Sequence, residues 1–280
     1  VSANGRQLRE FLYTDVEQAY QAKDLTILAN DIIRRPRDVD YDKNDCVIYL
    51  VLEDGTVSCL TTYRTEDVNA WSCLKTQGEF LSVAVIGSDI YFCVKRNNGY
   101  FIEKMTDDYY SDCSICLTSE ESLREWDGLS HLEGEEVVVL ANGFSVGKFV
   151  VSEGKINLLE EATEIIAGLP YEHLIEPLPY MVNGEQPYPP KGFRVIGARF
   201  RIIDSKSFCI DIGSGYFLYP LKRIHRDAIF DSPPMTYSGD VQIRALGWIR
   251  DMNRPMWRIK SDEPLAFTLL SAVAEIKLKE

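Results

Sequence analysis

The chain has 280 residues, 45% hydrophobic and 11% aromatic, with 43 acidic against 30 basic residues and a formal net charge of −13. That length holds one large or two to three modest globular domains. The acidic balance argues against a nucleic-acid-binding surface, which needs a basic footprint, and no run of eighteen apolar residues offers a membrane-spanning helix.

The opening "VSANGRQLREF" has no apolar leader core and no initiator Met, so the chain reads as a piece of something longer. Its first predicted element is a short strand in "RQLREFLYTD", the outer strand of a sheet whose other strands are not evident. The next is a helix in "DLTILANDIIRR". Leu25, Leu28 and Ile32 recur there at helical spacing, Asp24 stands as N-cap, and Pro36 follows the end.

Two similar paragraphs come next. "VIYLVLEDGTVSCLTTY" (47–63) is two apolar runs hinged on Asp54-Gly55, and "DIYFCVKRNNGYFIEKM" (89–105) repeats the form around Asn98-Gly99. Such dipeptides supply the positive backbone angles of hairpin turns. Residues 47–52 are apolar without interruption, as in a strand buried on both faces. "DVNAWSCLK" follows the first hairpin and "EFLSVAVIG" precedes the second, each as a further strand. Aligning Ile48-Tyr49-Leu50 with Ile90-Tyr91-Phe92 gives an offset of about forty-two residues, within the ~40–45-residue period of a four-stranded propeller blade. The expectation is two consecutive blades, at 46–63 and 88–105.

After Met105 the acidic, serine-rich "TDDYYSDCSICLTSEESLREWDGLSHLEG" reads as a loop or linker. "EEVVVLANGFSVGKFVVSEGKINLLEEATEIIAGLPY" then gives at least three short strands, punctuated by Asn142-Gly143 and Glu153-Gly154, as in a small antiparallel barrel or sandwich. "PLPYMVNGEQPYPPKGF" is a Pro/Gly connector. Strands return in "RVIGARFRIID", "SFCIDIG", "GYFLYPL", "GDVQIRALG" and "PMWRIKS". The terminal "PLAFTLLSAVAEIKL" fits a helix by period alone, but Phe267, Thr268, Val273 and Ile276 favour a strand.

The predicted fold is therefore all-β: propeller-like blades, an inserted small antiparallel β-barrel or sandwich module, and one short helix near the N-terminus. Residues 1–112 form the propeller-like region and 113–176 the linker plus module. Residues 177–280 form a C-terminal β-region that packs back on the first, since lone strands at 6–13, at 195–203 and after Pro264 need distant partners. Several cysteines (Cys46, Cys59, Cys73, Cys93, Cys209) lie in apolar runs, where a free thiol behaves as a small hydrophobe; folding in a reducing compartment is expected.

Several of these blocks resemble the tail proteins of tailed bacteriophages and prophages: "REFLY" with "DLTILAND", the "DGTVSCLTTYRTEDVNAWSCLKTQGEFLSVAVI" block, and "DGLSHLEGEEVVVLANG…VSEGKINL…IIAGLPY". Family members are tail-tube or nozzle components of short-tailed phages, built on a β-propeller with inserted β-domains. The resemblance runs from about Arg9 to the C-terminal strands and weakens after Pro187. Cys73 departs from a position where the family often has a charged residue, and Asn142-Gly143 stands where Asp-Gly is usual. What it implies is a non-enzymatic structural protein of the virion tail, made in the bacterial cytoplasm. Its partners would be copies of itself in a ring and neighbouring tail or portal/adaptor proteins, with no nucleic-acid sequence readout. The motifs concerned are packing and turn motifs, and none supplies a catalytic residue.

Residues that could carry chemistry are few. Cys113-Ser-Ile-Cys116 has metal-ligand spacing, but a zinc site needs a second pair, and only His131 lies downstream. Asp107-Asp108, Glu120-Glu121, Glu135-Glu136 and Glu160-Glu161 are sequence neighbours, the pattern of solvated charge rather than of convergent acid and base. His131, His173 and His225 are too scattered for a triad, and Gly213-Ser-Gly215 lacks the third glycine of a dinucleotide fingerprint. Trp71, Trp126, Trp248 and Trp257 could stack on sugars. Of these, Trp71 is expected in the core and Trp126 exposed. Arg34-Arg35-Pro36-Arg37 reads as a solvated or salt-bridged patch. No catalytic, cofactor or metal site is predicted. The alternative reading is a carbohydrate-binding or carbohydrate-cleaving tail adhesin.

Overall fold

The computed structural model describes residues 5–14, 19–27, 29–179, 192–213, 215–221, 233, 235–244, 249–251 and 253–279. The protein is all-β and divides into two compact units, residues 1–108 and 109–280.

In the first unit, strands β1 (Arg9–Thr14) and β2 (Ala19–Asp24) form a two-stranded ribbon. Four strands then form an antiparallel meander: β3 (Pro36–Asp42), β4 (Val47–Leu52), β5 (Val57–Tyr63) and β6 (Val68–Leu74). A second meander has three: β7 (Glu79–Ile86), β8 (Asp89–Arg96) and β9 (Gly99–Lys104). The hairpins at 47–63 and 89–104 thus lie in separate sheets. The repeat is wider than the hairpins, since strands begin at 36, 47 and 57 and again at 79, 89 and 99.

Alternation explains how the sheets stack. One face of the first meander carries Tyr49, Val51, Val57 and Cys59, and it shares a core with Phe80, Val83, Ile90, Phe92 and Val94 of the second. The other face carries Leu50 and Leu52, which pack with Ile33, Leu8 and Trp71. The apolar run 47–52 is therefore covered on both faces, with Leu50 and Val51 fully buried. Each such side chain contributes about 1.5–3 kcal/mol by leaving water.

The first hairpin turn works as the Asp-Gly pair predicts. Gly55 has φ 81°, and the Asp54 carboxylate accepts the Thr56 N–H and hydroxyl at 3.0 and 2.7 Å. The Gly55 carbonyl then accepts the Phe80 N–H at 2.9 Å, so the same turn seats the start of β7. In the second hairpin Arg96 pairs with Gly99, which puts the turn on Asn97-Asn98, one residue earlier than the Asn-Gly pair suggests.

The helix expected from Asp24 to Arg35 is not formed; residues 25–27 and 30–31 are turns, and Leu28 lies outside the described residues. Asp24 does cap, but it caps a turn: its Oδ1 accepts the Thr26 N–H at 2.8 Å. A helix would need the Leu25 carbonyl for the Ala29 N–H. Instead the Trp71 indole N–H donates to that carbonyl at 2.9 Å, and Ala29 N–H turns to Thr26 at 2.9 Å. Tertiary hydrogen bonds have outcompeted helical propensity.

In the second unit, the expected linker is instead a long strand, β10 (Asp112–Trp126). It pairs with β13 (Ile156–Leu169), next to β11 (Glu136–Ala141) and β12 (Phe144–Val150), in the order β10-β13-β11-β12. The polar text misleads because the register jumps between Thr118 and Leu123, so Ser119–Ser122, with Glu120 and Glu121, bulge out of the ladder. Strands β10 and β12 are edges, so the sheet is open rather than a closed barrel. Its core gathers Trp126, Leu129, Leu132, Val137, Val139, Ile156 and Ile165. The "GLSHLEG" and "LANG" motifs hold its turns. Glu133 accepts the N–H groups of Glu153 and Gly154 at 2.9 and 2.6 Å, and Asn142 Oδ1 accepts those of Thr163 and Glu164, both at 3.1 Å.

The remaining strands are β14 (His173–Ile175), β15 (Gly192–Ser205), β16 (Ser207–Asp211), β17 (Tyr216–Pro220), β18 (Tyr237–Arg244), β19 (Arg258–Ser261) and β20 (Thr268–Lys279). They form two sheets, β14-β19-β16-β17 and β18-β15-β20, over one core containing Phe193, Phe200, Phe208, Ile210, Val241 and Ile259. The segments at 195–203 and after Pro264, expected to need distant partners, pair with each other from Gly192↔Lys279 to Ile203↔Thr268. The final run is a strand, as its β-branched residues indicated. Most of the Pro/Gly connector lies outside the described residues.

Candidate interaction surfaces

The most distinctive exposed chemistry is apolar, and it lies in two places in the first unit. On the β1–β2 ribbon, Phe11, Tyr13 and Tyr20 share one face, because Tyr13 pairs directly with Tyr20 and Phe11 is two residues away. Phe11 and Tyr20 stack at 5.0 Å and 10°, and Tyr13 meets Tyr20 edge-on at 5.2 Å. The ribbon is held at its base. Leu25 N–H donates to the Leu8 carbonyl at 2.9 Å, and Arg64 and Lys23 form ion pairs with Glu10 and Asp67.

The second surface is the outer face of the β7–β9 sheet. Ile86, Tyr100 and Ile102 are exposed there, beside half-buried Tyr91 and Cys93 and the Lys104–Asp89 ion pair at 2.9 Å. Beneath it, the buried face holds Arg96, whose guanidinium grips Glu103 bidentately at 2.5 and 2.6 Å and reaches the Gln77 carbonyl at 3.2 Å. Between the two meanders, Asp38 and Asp40 of β3 accept the N–H groups of Val83 and Val85 at 3.0 and 2.6 Å. These carboxylates cover the open edge of β7. In the same interface, burial pushes both the Tyr49 phenol and the Cys59 thiol up to about 12.

The residues singled out for chemistry are dispersed. Cys113 packs against the module core with Ile115 and Leu117, and strand alternation puts Cys116 on the opposite face. His131 lies in a short 3-10 turn, Ser130–Leu132. Among the described residues no cluster of three or more His, Cys, Asp or Glu could hold a metal ion. Asp107-Asp108, Glu120-Glu121 and Glu160-Glu161 are exposed. Glu136 and Glu161 pair with Lys148 and Arg124. His173 stacks on Phe267 at 5.8 Å, and burial lowers its pKa against the opposing pull of Asp262 and Glu172. His225 and Trp248 lie outside the described residues.

Trp126, expected to be exposed, is 4% exposed and donates its indole N–H to the Leu123 carbonyl at 3.2 Å. The bulge before it folds the end of β10 over the module core, which local polarity does not reveal. Trp71 is half-buried on the face of the first meander that carries Leu50 and Leu52, and Trp257 packs edge-on against Phe200 at 5.3 Å. In the basic patch, the Arg35 backbone is pinned to Gly5 and Glu53 and its side chain pairs with Glu53 at 3.3 Å. Near Gly213 and Gly215, Asp211 uses both N–H groups, at 2.8 and 3.0 Å, and also binds Arg254 at 2.5 Å. The donors that could cradle a phosphate are thus engaged by the protein's own carboxylate.

Neither exposed apolar surface was singled out from the sequence, although Phe11 and Tyr13 stand at the spacing of one strand face. Among the described residues no helix is long and apolar enough to cross a membrane. No protein-family model matches the chain, and no curated protein matches it significantly.

Proposed function

We propose that the chain is a non-enzymatic structural component of a bacteriophage or prophage tail, of the tube or nozzle type. It acts by forming a homo-oligomeric ring and by contacting neighbouring tail or portal/adaptor proteins in the virion. The sequence resemblance supplies the family. The observation that carries the reading is the repeated pair of stacked meanders, whose strands recur about every forty-two residues as consecutive propeller blades do. In this reading the "AW" block and the "GLSHLEG…GLPY" module are framework. Trp71 fastens the segment before the first blade, and Glu133 and Asn142 fasten the module turns. The conspicuous polar residues hold turns and edges, which suits a rigid assembly unit.

The carbohydrate-binding or carbohydrate-cleaving adhesin is favoured by one feature, the exposed Phe11, Tyr13 and Tyr20. Sugars stack on open aromatic faces, yet Phe11 and Tyr20 already cover one another. Electron microscopy of the purified chain tests the main reading. Closed rings or arcs of repeating subunits are expected. Particles that remain single at the highest attainable concentration, with binding on a glycan array, would replace it with the adhesin.

A further inference from the structure

Strand β14 is where the chain leaving the module fastens to the C-terminal sheets. Module strand β13 ends at Leu169, and β14 follows at His173–Ile175. It is three residues long, lies at the edge of its sheet, and pairs with β19 from His173↔Ser261 to Ile175↔Ile259. Glu172 and Glu176 flank it and form ion pairs with Lys260 and Arg258, while Ile175 packs on the core. Two further contacts across this joint are exposed: Ser145 with Glu263 at 2.8 Å, and Lys148 with Asp262 at 3.3 Å. Exposed polar contacts of this kind stabilise little, so the joint depends on β14.

The side chain that seats this short strand is a histidine. His173 shares the inward face with Ile175 and stacks on Phe267 at 5.8 Å and 4°. Its Nε2 is shut off from water and has no hydrogen-bond partner among the described residues. A neutral imidazole tolerates that place far better than an imidazolium, which carries N–H on both nitrogens and would bury a charged donor with no acceptor. The charged groups around it are already matched. Glu172 is held by Lys260, which also lies 6.0 Å from the Tyr216 ring, and Asp262 is held by Lys148. Glu263 of the same turn engages Ser145, and burial raises the pKa of the Cys209 thiol on β16 and keeps it neutral. Burial accordingly outweighs the pull of Asp262 and Glu172 and holds the imidazole below its ordinary pKa.

We propose that β14 is an acid-released clasp: protonation of His173 drives this strand off β19 and frees the attachment of the module to the C-terminal sheets. Release puts the imidazolium in water, so protons bind the open form more tightly and shift the population toward it. The closed clasp is fully stable above the ordinary imidazole pKa of about 6.5 and loses stability as pH falls through that value toward the lower one of the closed state. One proton shifts the opening equilibrium by about tenfold per pH unit at most.

The test is hydrogen exchange with mass spectrometry on the full 280-residue chain, between about pH 7.5 and 5.5, where histidine is the side chain that ordinarily titrates. Rates are corrected for intrinsic exchange, and wild type is compared with His173→Phe, which keeps a ring on Phe267 but cannot charge. Wild-type protection at 172–176 and 258–267 should fall about three- to tenfold across that range, and in His173→Phe it should stay level. His173→Gln, also uncharged, takes its place should the Phe variant fail to fold. In nuclear magnetic resonance, the imidazole signal absent from the variant should titrate below about 6.5 in wild type. The proposal is overturned if protection at these peptides is level in wild type, if it falls equally in the variant, or if the His173 signal titrates at or above that value.

Discussion

Removing the carboxylates of Asp38 and Asp40 together should loosen the edge of the second meander. Strand β7 is an edge strand, and its outward N–H groups at Val83 and Val85 are satisfied by Asp38 and Asp40 at 3.0 and 2.6 Å. A hydrogen bond to a charged group is worth about 1.5–3 kcal/mol. Val83 is buried whereas Val85 is half-buried, so water recovers more of the loss at Val85. Each Asp→Ala change should therefore cost about 1–2 kcal/mol, and the double variant up to their sum, about 2–4 kcal/mol. Because the chain has two units, the readout should be local: hydrogen exchange of the peptide covering 79–86, followed by mass spectrometry. Protection there should fall by roughly ten- to a thousand-fold, the equivalent of that loss. The Asp→Asn pair, which keeps an acceptor oxygen, should fall less. Unchanged exchange at Val83 and Val85 in the double alanine variant would show that β7 does not depend on these carboxylates.

Three further outcomes are expected. Glu103→Ala leaves Arg96, only 7% exposed, without its bidentate partner; unfolding of the first unit should become easier by about 3 kcal/mol, and a change under 1 kcal/mol in urea titration would refute that. Cys59, with its thiol pushed up to about 12, has a thiolate fraction of ~10⁻⁴ at pH 8. Peptide mapping after iodoacetamide should find it unmodified where exposed Cys73 is alkylated, and equal labelling would contradict its burial. Burial would raise the pKa of Asp211, but the N–H groups of Gly213 and Gly215 and the Arg254 guanidinium outweigh it and hold the carboxyl below its ordinary value. Its stabilisation is therefore complete above the unfolded Asp pKa and lost as pH falls through the lower folded value. Acid unfolding of the C-terminal strands should become less steep in Asp211→Asn, and an unchanged acid transition would exclude this origin.

Much of the local architecture was legible because it depends on neighbours in sequence. Asp54-Gly55 specifies a turn through the φ of one glycine, and the alternation after it specifies a strand face. The uninterrupted apolar run 47–52 announced burial on both faces, because a half-exposed strand alternates. The two hairpins followed from the same signals, whereas the strand Pro36–Asp42 that opens the first meander did not.

Other features were decided only where distant parts of the chain meet. Leu25, Leu28 and Ile32 carry a helical period, but the Trp71 indole takes the Leu25 carbonyl from forty-six residues away, and the local pattern has no record of that competitor. The acidic run in β10 reads as a loop because a bulge ejects Glu120 and Glu121 from a ladder whose partner, β13, lies beyond two other strands. The pairing of β15 with β20 joins Gly192 to Lys279. Nothing within either segment marks the other, since cross-strand partners are chosen by shared burial and not by local geometry. The exposed surfaces are the same case in reverse. Tyr91 and Ile102 carry the residue types of a buried face; only the stacking order of the sheets shows that, among the described residues of the first unit, no sheet lies against their side of β8–β9.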